Sequence, residues 1–496
     1  MSILSEIEKG FTMFTFNNSY AEHPSPFYSK IYSTNHFQPT LLIFNQELAQ
    51  KLNISIDKID KENIPKYFSA CEWIPGSNPI AMNYAGQQFG HFVPQLGDGR
   101  AMLLGEFMTN NNQRIDVHLK GSGPTAYSRN GDGKCALGPA MREYIVSEAM
   151  HALGIPTSRT LCIVKTNEMI QREVLQPGAV LTRLALGHIR VGTFQYFAAQ
   201  NDIKNLKILA DYSIERFAPL LNNSINPYFE FWKEICQKQI SLVNQWMSVG
   251  FIHGVMNTDN VSISGETLDY GPCAFMDHFS YHKVFSSIDV KGRYSYSNQI
   301  NIIIWNLARL AECFIPLLQE QTEVATKMFG HELELFHKKI LQDFHHTICK
   351  KLGLSKFEPD DNILINSWFE LLESNKCDFT LGHIDIEKIL QKQKTFTNLE
   401  TFPEFDKFYI LLRNRLEEEN RPLSDVLDQL SKINPMTIPR NHQIEKAIQS
   451  SIKKNDQDFF ELLNALKSPY VRLEKLTEYQ LPPTKEQKIL KTFCGT

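Results

Sequence analysis

The chain has 496 residues, 42 % hydrophobic and 21 % charged, with a formal net charge of -4 at pH 7. This is the make-up of an ordinary globular protein, long enough for about two to four domains or one large bilobal enzyme. The near-neutral balance gives no broad basic surface, which argues against generic binding to nucleic acid or to an anionic membrane.

Met1 to Lys9 carries Glu6 and Glu8 and lacks the basic-then-apolar order of a secretory signal. The first ~80 residues are mixed in pattern, with loop signals at Asn17-Asn18 and His23-Pro24. From Met82 to about Val180 the texture changes to glycine-rich turns between short apolar runs. Ala101 to Met108 and Arg114 to Lys120 are predicted as two strands joined by a turn at Asn110-Asn111-Asn112. A helix is predicted over Pro139 to Leu153: Pro139 suits the first helical position, and Met141, Ile145, Ala149 and Leu153 form one apolar stripe. Gly154 and Pro156 stop it.

Further strands are expected over Thr160 to Val164 and Ala179 to Leu184, and a mainly helical pattern runs from Asn205 onward. The most apolar long window, Ile300 to Leu318, is interrupted by Asn301, Asn306, Arg309 and Glu312, which predicts a buried helix, not a membrane span. The nine cysteines are scattered without a C-x-x-C pair, a pattern that fits reduced thiols in a cytosol better than disulfides or zinc. A soluble cytoplasmic protein is the expectation.

The chemistry concentrates in a few motifs. His253-Gly254-Val255-Met256-Asn257-Thr258-Asp259-Asn260 keeps the seven-residue separation of His and Asn in a protein-kinase catalytic loop, H-R-D-x-x-x-x-N, but places Val255 where the catalytic Asp would be. Nine residues on, Asp269-Tyr270-Gly271 resembles the metal-binding D-F-G. Lys120 at a strand end and Glu143 on the following helix have the order in which a kinase fold holds its phosphate-contacting lysine. Asn260 and Asp269 offer hard oxygen ligands suited to Mg²⁺ or Mn²⁺.

Gly97-Asp98-Gly99-Arg100 and Gly131-Asp132-Gly133-Lys134 flank the strand pair, and glycines there would let backbone N–H groups approach a phosphate. Arg183 and Arg190 add cations. Asp259 could accept the proton of an attacking hydroxyl in place of the absent acid, or could merely orient Asn260 or His253; the residues leave both open.

With these residues assembled, the chain resembles the selenoprotein O family, the pseudokinase-fold protein adenylyltransferases. The resemblance is carried by Tyr84 through Gly90, Pro94 through Ala101, Leu119 through Gly123, Arg142-Glu143, Ser147 through Met150, His253 through Asn260 and Leu268 through Pro272. It implies an α+β, bilobal protein-kinase-like fold. An N-terminal extension would span 1–80, a β-containing N-terminal lobe 81–200, and a larger, mainly α-helical C-terminal lobe with a helical extension 201–496.

It implies ATP bound in inverted orientation, so that AMP passes to Ser, Thr or Tyr hydroxyls of proteins and pyrophosphate leaves. Gly97, Gly99, Arg100, Lys120, Asp132, Gly133, Arg183, Arg190 and Asp269 would bind nucleotide. Asn260 and Asp269 would bind Mg²⁺ or Mn²⁺, Asp259 would be the proton acceptor, and Glu143 would position Lys120. A monomer is expected.

The chain also departs from the family pattern. Gln87 stands where many members have His, and Lys134 where they have Arg. Cys494 matches a C-terminal cysteine, but the cysteine expected before Gly292-Arg293-Tyr294 is absent, with Phe285 nearby. Redox gating through Cys494 is therefore not expected; Cys273 beside the D-Y-G segment is the alternative partner, or else simply a buried thiol. The competing readings are a catalytically silent nucleotide-binding scaffold, UMP transfer from UTP, and a small-molecule phosphotransferase.

Overall fold

The computed structural model describes residues 13–55 and 62–493. The reading of Met1 to Lys9 and any role of Cys494 therefore lie outside the described residues. The chain opens with β1 (Tyr28–Lys30), β2 (Thr40–Phe44) and β3 (Ile80–Met82), followed by a small hairpin of β4 (Gly86–Gln88) and β5 (His91–Val93). Then come β6 (Ala101–Met108), β7 (Arg114–Lys120), β8 (Cys135–Ala136), β9 (Arg159–Gln171) and β10 (Leu175–Ala185). Eight of these form one antiparallel sheet in the order β1-β3-β6-β7-β10-β9-β2, with β8 on β10. The β4–β5 hairpin stands apart from it.

The sheet is buried on both faces, which is why β6 reads as an apolar run interrupted only at Gly105 and Glu106. Leu103, Ile163 and Leu181 join the main core, while Met102, Leu104, Val117, Leu119 and Val180 join a second cluster closed by Phe14, Leu48 and Phe68 from the first 70 residues. Strand periodicity explains the sorting: successive side chains alternate between faces. On β7 this puts Ile115, Val117 and Leu119 on one side and Asp116, His118 and Lys120 on the other. A row of buried polar groups must find partners or cost several kcal/mol. Those partners build the site described below.

The helix Leu137–Ala152 packs on β9 and β10. It begins two residues before Pro139, whose missing N–H is harmless anywhere in the first turn because no intrahelical acceptor exists there. The strands expected at 160–164 and 179–184 prove to be parts of one long hairpin, turning at 172–174. Its outer half carries Thr166, Asn167 and Glu168, with Asn167 left-handed at φ 57°, and so lacked the alternation that marks a strand.

Helix begins at Val191, earlier than the pattern indicated, and continues to the C-terminal region apart from β11 (Phe251–Ile252), β12 (Ala274–Phe275) and connecting segments. The apolar window is the helix Gln299–Phe314, whose Ile302, Ile303, Leu307 and Leu310 lie in the main core. By length and composition the segment Tyr296–Leu317 could cross a membrane, but half of its apolar window is buried inside the protein. Its Asn306 donates to the Met256 carbonyl at 2.9 Å, so one of its polar interruptions is a tie to the catalytic-type loop. None of the described cysteines is in a disulfide.

Candidate active site

Register places the first group of site residues. In the β7–β10 pairing Arg183 lies opposite His118 and Leu181 opposite Lys120, so Arg183 and Lys120 share a face one step apart. Glu143 reaches the same point from the helix Leu137–Ala152 and accepts Lys120 Nζ at 2.8 Å. Its other oxygen accepts from Arg183 Nε. Asp269 closes the network, its Oδ1 accepting from Lys120 Nζ at 2.6 Å and from Arg183 at 2.5 Å.

Two cations and two carboxylates thus neutralise one another in a nearly dry setting. Burial alone would raise both acids, but Arg183 and Lys120 outweigh it and hold Glu143 below, and Asp269 well below, the ordinary carboxylate range. The helix bearing Glu143 is itself braced from behind. Arg142 donates to Asn441 at 3.1 Å, and the helices Asn441–Ile452 and Gln457–Leu466 pack along it.

These groups form one wall of a cleft of about 670 Å³. The same cleft is lined by Gly97, Gly99, Arg100, Asp132, Gly133, Arg190, Asp259 and Asn260, so every residue singled out in the sequence for nucleotide, metal or proton transfer opens onto one space. Glu143 stands just behind it, touching the cleft through Lys120 and Arg183. Gly97 has φ 67° and Gly133 φ 64°, conformations that disfavour any side chain. A Cβ on Gly133 would also overlap the Gly123 carbonyl.

Arg190 stands at the N-cap position of the helix Val191–Ala199, with its guanidinium over the Tyr84 ring at 4.2 Å from the centroid and 3.3 Å from Asp98 Oδ1. Asp98 also accepts from the Met82 N–H, the Tyr84 hydroxyl and His118. Burial pushes its carboxyl up, and Arg190 and His118 more than reverse this.

The catalytic-type loop is anchored at both ends. His253 Nδ1 accepts the Val255 N–H at 3.3 Å and its Nε2 donates to the Leu268 carbonyl at 2.8 Å, tying the loop to the residue before Asp269. Asn260 donates its amide to the Val255 carbonyl at 3.0 Å. Asp259 lies in the single 3₁₀ turn Thr258–Asn260 and is 8 % exposed. Burial lifts its carboxyl to about 6. Its Oδ2 is met by Gln88 Nε2 at 3.4 Å, while Oδ1 is buried with no hydrogen-bond partner among the described residues. A buried acid with a raised proton affinity and one unsatisfied oxygen is what a general base in a cleft requires.

The comparisons with known proteins converge on one family. Residues 10–467 match the family model described as "Protein adenylyltransferase SelO". The chain belongs to that family. Similar proteins include the "Protein nucleotidyltransferase YdiU" of Bacillus mycoides (strain KBAB4), 44 % identical over 98 % of this chain and 99 % of the relative. The protein of the same name from Agrobacterium fabrum is 44 % identical over 98 % of this chain and all of the relative, and that from Nitrosococcus oceani 43 % identical over 97 % of each.

Within this SelO-family cleft a divalent cation has donors to meet it. Asn260 gives its amide nitrogen to Val255 and keeps Oδ1 uncommitted; Asp269 takes its two cations on Oδ1 and keeps Oδ2. Among the described residues no group of three His, Cys, Asp or Glu side chains forms a ready-made cage. That fits Mg²⁺ or Mn²⁺, which a kinase-type site holds by one or two side chains together with substrate phosphates.

Sequence reasoning missed three contributors. Arg172 clamps Asp132 with two hydrogen bonds of 2.8 and 3.0 Å, yet it sits in a hairpin turn with no motif around it. His118 carries Asp98 and stacks on His188 at 4.1 Å between ring centres. The alternation of β7 was the available signal for it. Gln88 was visible only as one letter of a family segment.

Proposed function

We propose that the chain is a two-lobed, kinase-like protein adenylyltransferase that moves AMP from ATP to a Ser, Thr or Tyr hydroxyl of a protein substrate. In the reaction the acceptor oxygen bonds to the α-phosphorus, the α–β phosphoanhydride bond breaks, pyrophosphate leaves, and Asp259 takes the hydroxyl proton. Lys120, Arg183 and Arg190 hold the triphosphate, with Arg100 and the backbone of Gly97, Gly99 and Gly133 at its edge and Asp132 at the mouth. Glu143 keeps Lys120 in place. Asn260 and Asp269 would hold Mg²⁺ or Mn²⁺, which would supply positive charge against the negative charge developing on the phosphoryl oxygens.

The observation that carries the reading is the position of Asp259. It is the acid of the loop with an unsatisfied oxygen, it neighbours Asn260, and it opens into the cleft that holds the Lys120–Glu143–Arg183–Asp269 network. A silent scaffold has no need of that oxygen or of two uncommitted metal donors. Incubation with Mg²⁺ or Mn²⁺ and ATP labelled at the α-phosphate should label protein, and γ-labelled ATP should not. Label arriving only from the γ-position would replace the proposal with a kinase. Stronger labelling from α-labelled UTP would move it to uridylyl transfer.

A further inference from the structure

A chain segment outside its own loop also packs against Asp259. The β4–β5 hairpin reaches across 171 residues of sequence and ties itself to three consecutive loop residues. The Phe89 N–H donates to Asn257 Oδ1 at 3.1 Å, the Gln87 N–H to Thr258 Oγ1 at 2.7 Å, and the Gln88 amide to Asp259 Oδ2 at 3.4 Å. The loop side of each tie is held in turn. Tyr294 donates to Asn257 Oδ1 at 2.6 Å, and Thr258 donates to Gln195 at 2.5 Å.

At the root of the hairpin the fit leaves no slack. A Cβ on Gly86 would overlap Asp259 Oδ1, and the Ala85 N–H donates to the Gly192 carbonyl at 2.9 Å. The hairpin pairs with no strand of the large sheet, so its ties to the loop are not a by-product of sheet formation. Phe89 adopts φ 51°, an unfavourable conformation for a bulky residue, and one that persists where surrounding contacts over-determine it.

We propose that Gln88 is a positioning residue for the transfer reaction: its amide holds Asp259 Oδ2 and, with Gly86 seated against Oδ1, fixes the carboxylate that takes the acceptor's proton. This rests on the reading of Asp259 given above. The carboxylate has two oxygens and the acceptor needs one. A donor on Oδ2 removes the rotation that would otherwise exchange them, and small misplacements of a catalytic group cost large factors in rate. The glycine at 86 is required for a matching reason, since any side chain there would overlap Oδ1 and turn the carboxylate out of place. Gln88 also lines the cleft, so the acceptor side chain passes beside it.

The test uses full-length enzyme, Mg²⁺, α-labelled ATP and a generic protein acceptor such as casein, or self-labelling of the chain. Gln88→Met keeps the volume and removes the donor. Its expected signature is a fall in kcat of about tenfold or more, as expected when a general base worth ~10²–10⁴ is misaligned, with KM for ATP within twofold. Gln88→Glu, which retains the shape but sets a second carboxylate against Asp259, should lose at least as much. Gly86→Ala should give the same split. If it does not fold, the half-buried Gln88 variants decide alone. Unchanged kcat in Gln88→Met, or a loss in which KM for ATP rises in parallel, overturns the inference while leaving the transfer activity standing. Absence of α-label transfer by the unmodified chain overturns the underlying reading instead.

Discussion

Glu266 offers a quantitative test of the electrostatics around the site. Its carboxylate lies three residues before Asp269, at the floor of a second cavity of about 400 Å³ lined by Leu48, His151, Pro156 and Leu186. Its hydrogen-bond partners are few: Oε2 accepts from the Leu186 N–H at 2.8 Å and from the Ser264 hydroxyl at 3.0 Å. Burial pushes the group from its ordinary 4.5 up to about 7, and Asp116 adds to the rise. A raised folded-state value means that the protonated form is the one the fold prefers. The associated stability is fully present below about pH 4.5 and is lost as pH rises through 7.

Each tenfold change in proton affinity is worth about 1.4 kcal/mol, so the full loss is ~3 kcal/mol. That is an upper bound, because water entering the cavity would solvate the ionised group. Glu266→Gln keeps the acceptor oxygen for Leu186 and Ser264 and cannot ionise. It should therefore be more stable than the parent at pH 8 by about 1–3 kcal/mol and nearly equal to it at pH 5, as read from urea unfolding at both values. A variant equally stabilised at both pH values, or destabilised at pH 8, would refute this account of Glu266.

Further expectations concern the cleft. Lys120→Met removes the cation between Glu143 and Asp269, and calorimetry should find ATP affinity at least about tenfold weaker, since buried charge-assisted contacts are worth roughly 1.5–3 kcal/mol; unchanged affinity would remove Lys120 from the nucleotide site. Asp259→Asn should lower kcat by ~10²–10⁴ with ATP binding within twofold. Gly133→Ala places a side chain at φ 64° against the Gly123 carbonyl. It should cost about 1–2 kcal/mol in backbone strain before the clash is counted, seen as a lower melting temperature and a higher KM for ATP. Val255→Asp restores the kinase-type acid, yet γ-label transfer should not appear, because the proposal assigns the choice of phosphate to the cations at Arg183 and Arg190 rather than to position 255. Appearance of γ-label transfer would show that the missing acid alone separates the two chemistries.

What could be read in advance followed from local pattern. The alternation of β7 is unbroken over seven residues, so Lys120 and its strand were legible, and the apolar stripe with its Gly154 stop located the helix of Glu143. β1, β3, β4 and β5 are three residues each, too short for any period to register, and their pairing depends on partners far along the chain. Arg172 and Gln88 were hidden for the same reason. Arg172 finds Asp132 across 40 positions and Gln88 finds Asp259 across 171, and neither bond leaves a trace in the residues beside it. The bracing of the Glu143 helix by residues 441–466 is likewise a matter of packing between remote helices.

The loop shows why the acid at position 255 can be absent without the site collapsing. Position 255 contributes through its backbone: its N–H binds His253 and its carbonyl holds Asn260. Any residue but proline keeps both groups, so valine there leaves the geometry of Asn260 intact. Asp259 by contrast contributes through its side chain, and its surroundings are shaped to that carboxylate by Gly86, Gln88 and the turn Thr258–Asn260. A loop merely decaying from a kinase ancestor would have no reason to keep a buried acid at 259, since burial with an unpaired oxygen costs stability. The cost is explained if that carboxylate takes the proton of an acceptor hydroxyl during turnover. In this reading the seven-residue frame from His253 to Asn260 is a scaffold for Asn260 and Asp259, and position 255 serves it through its backbone.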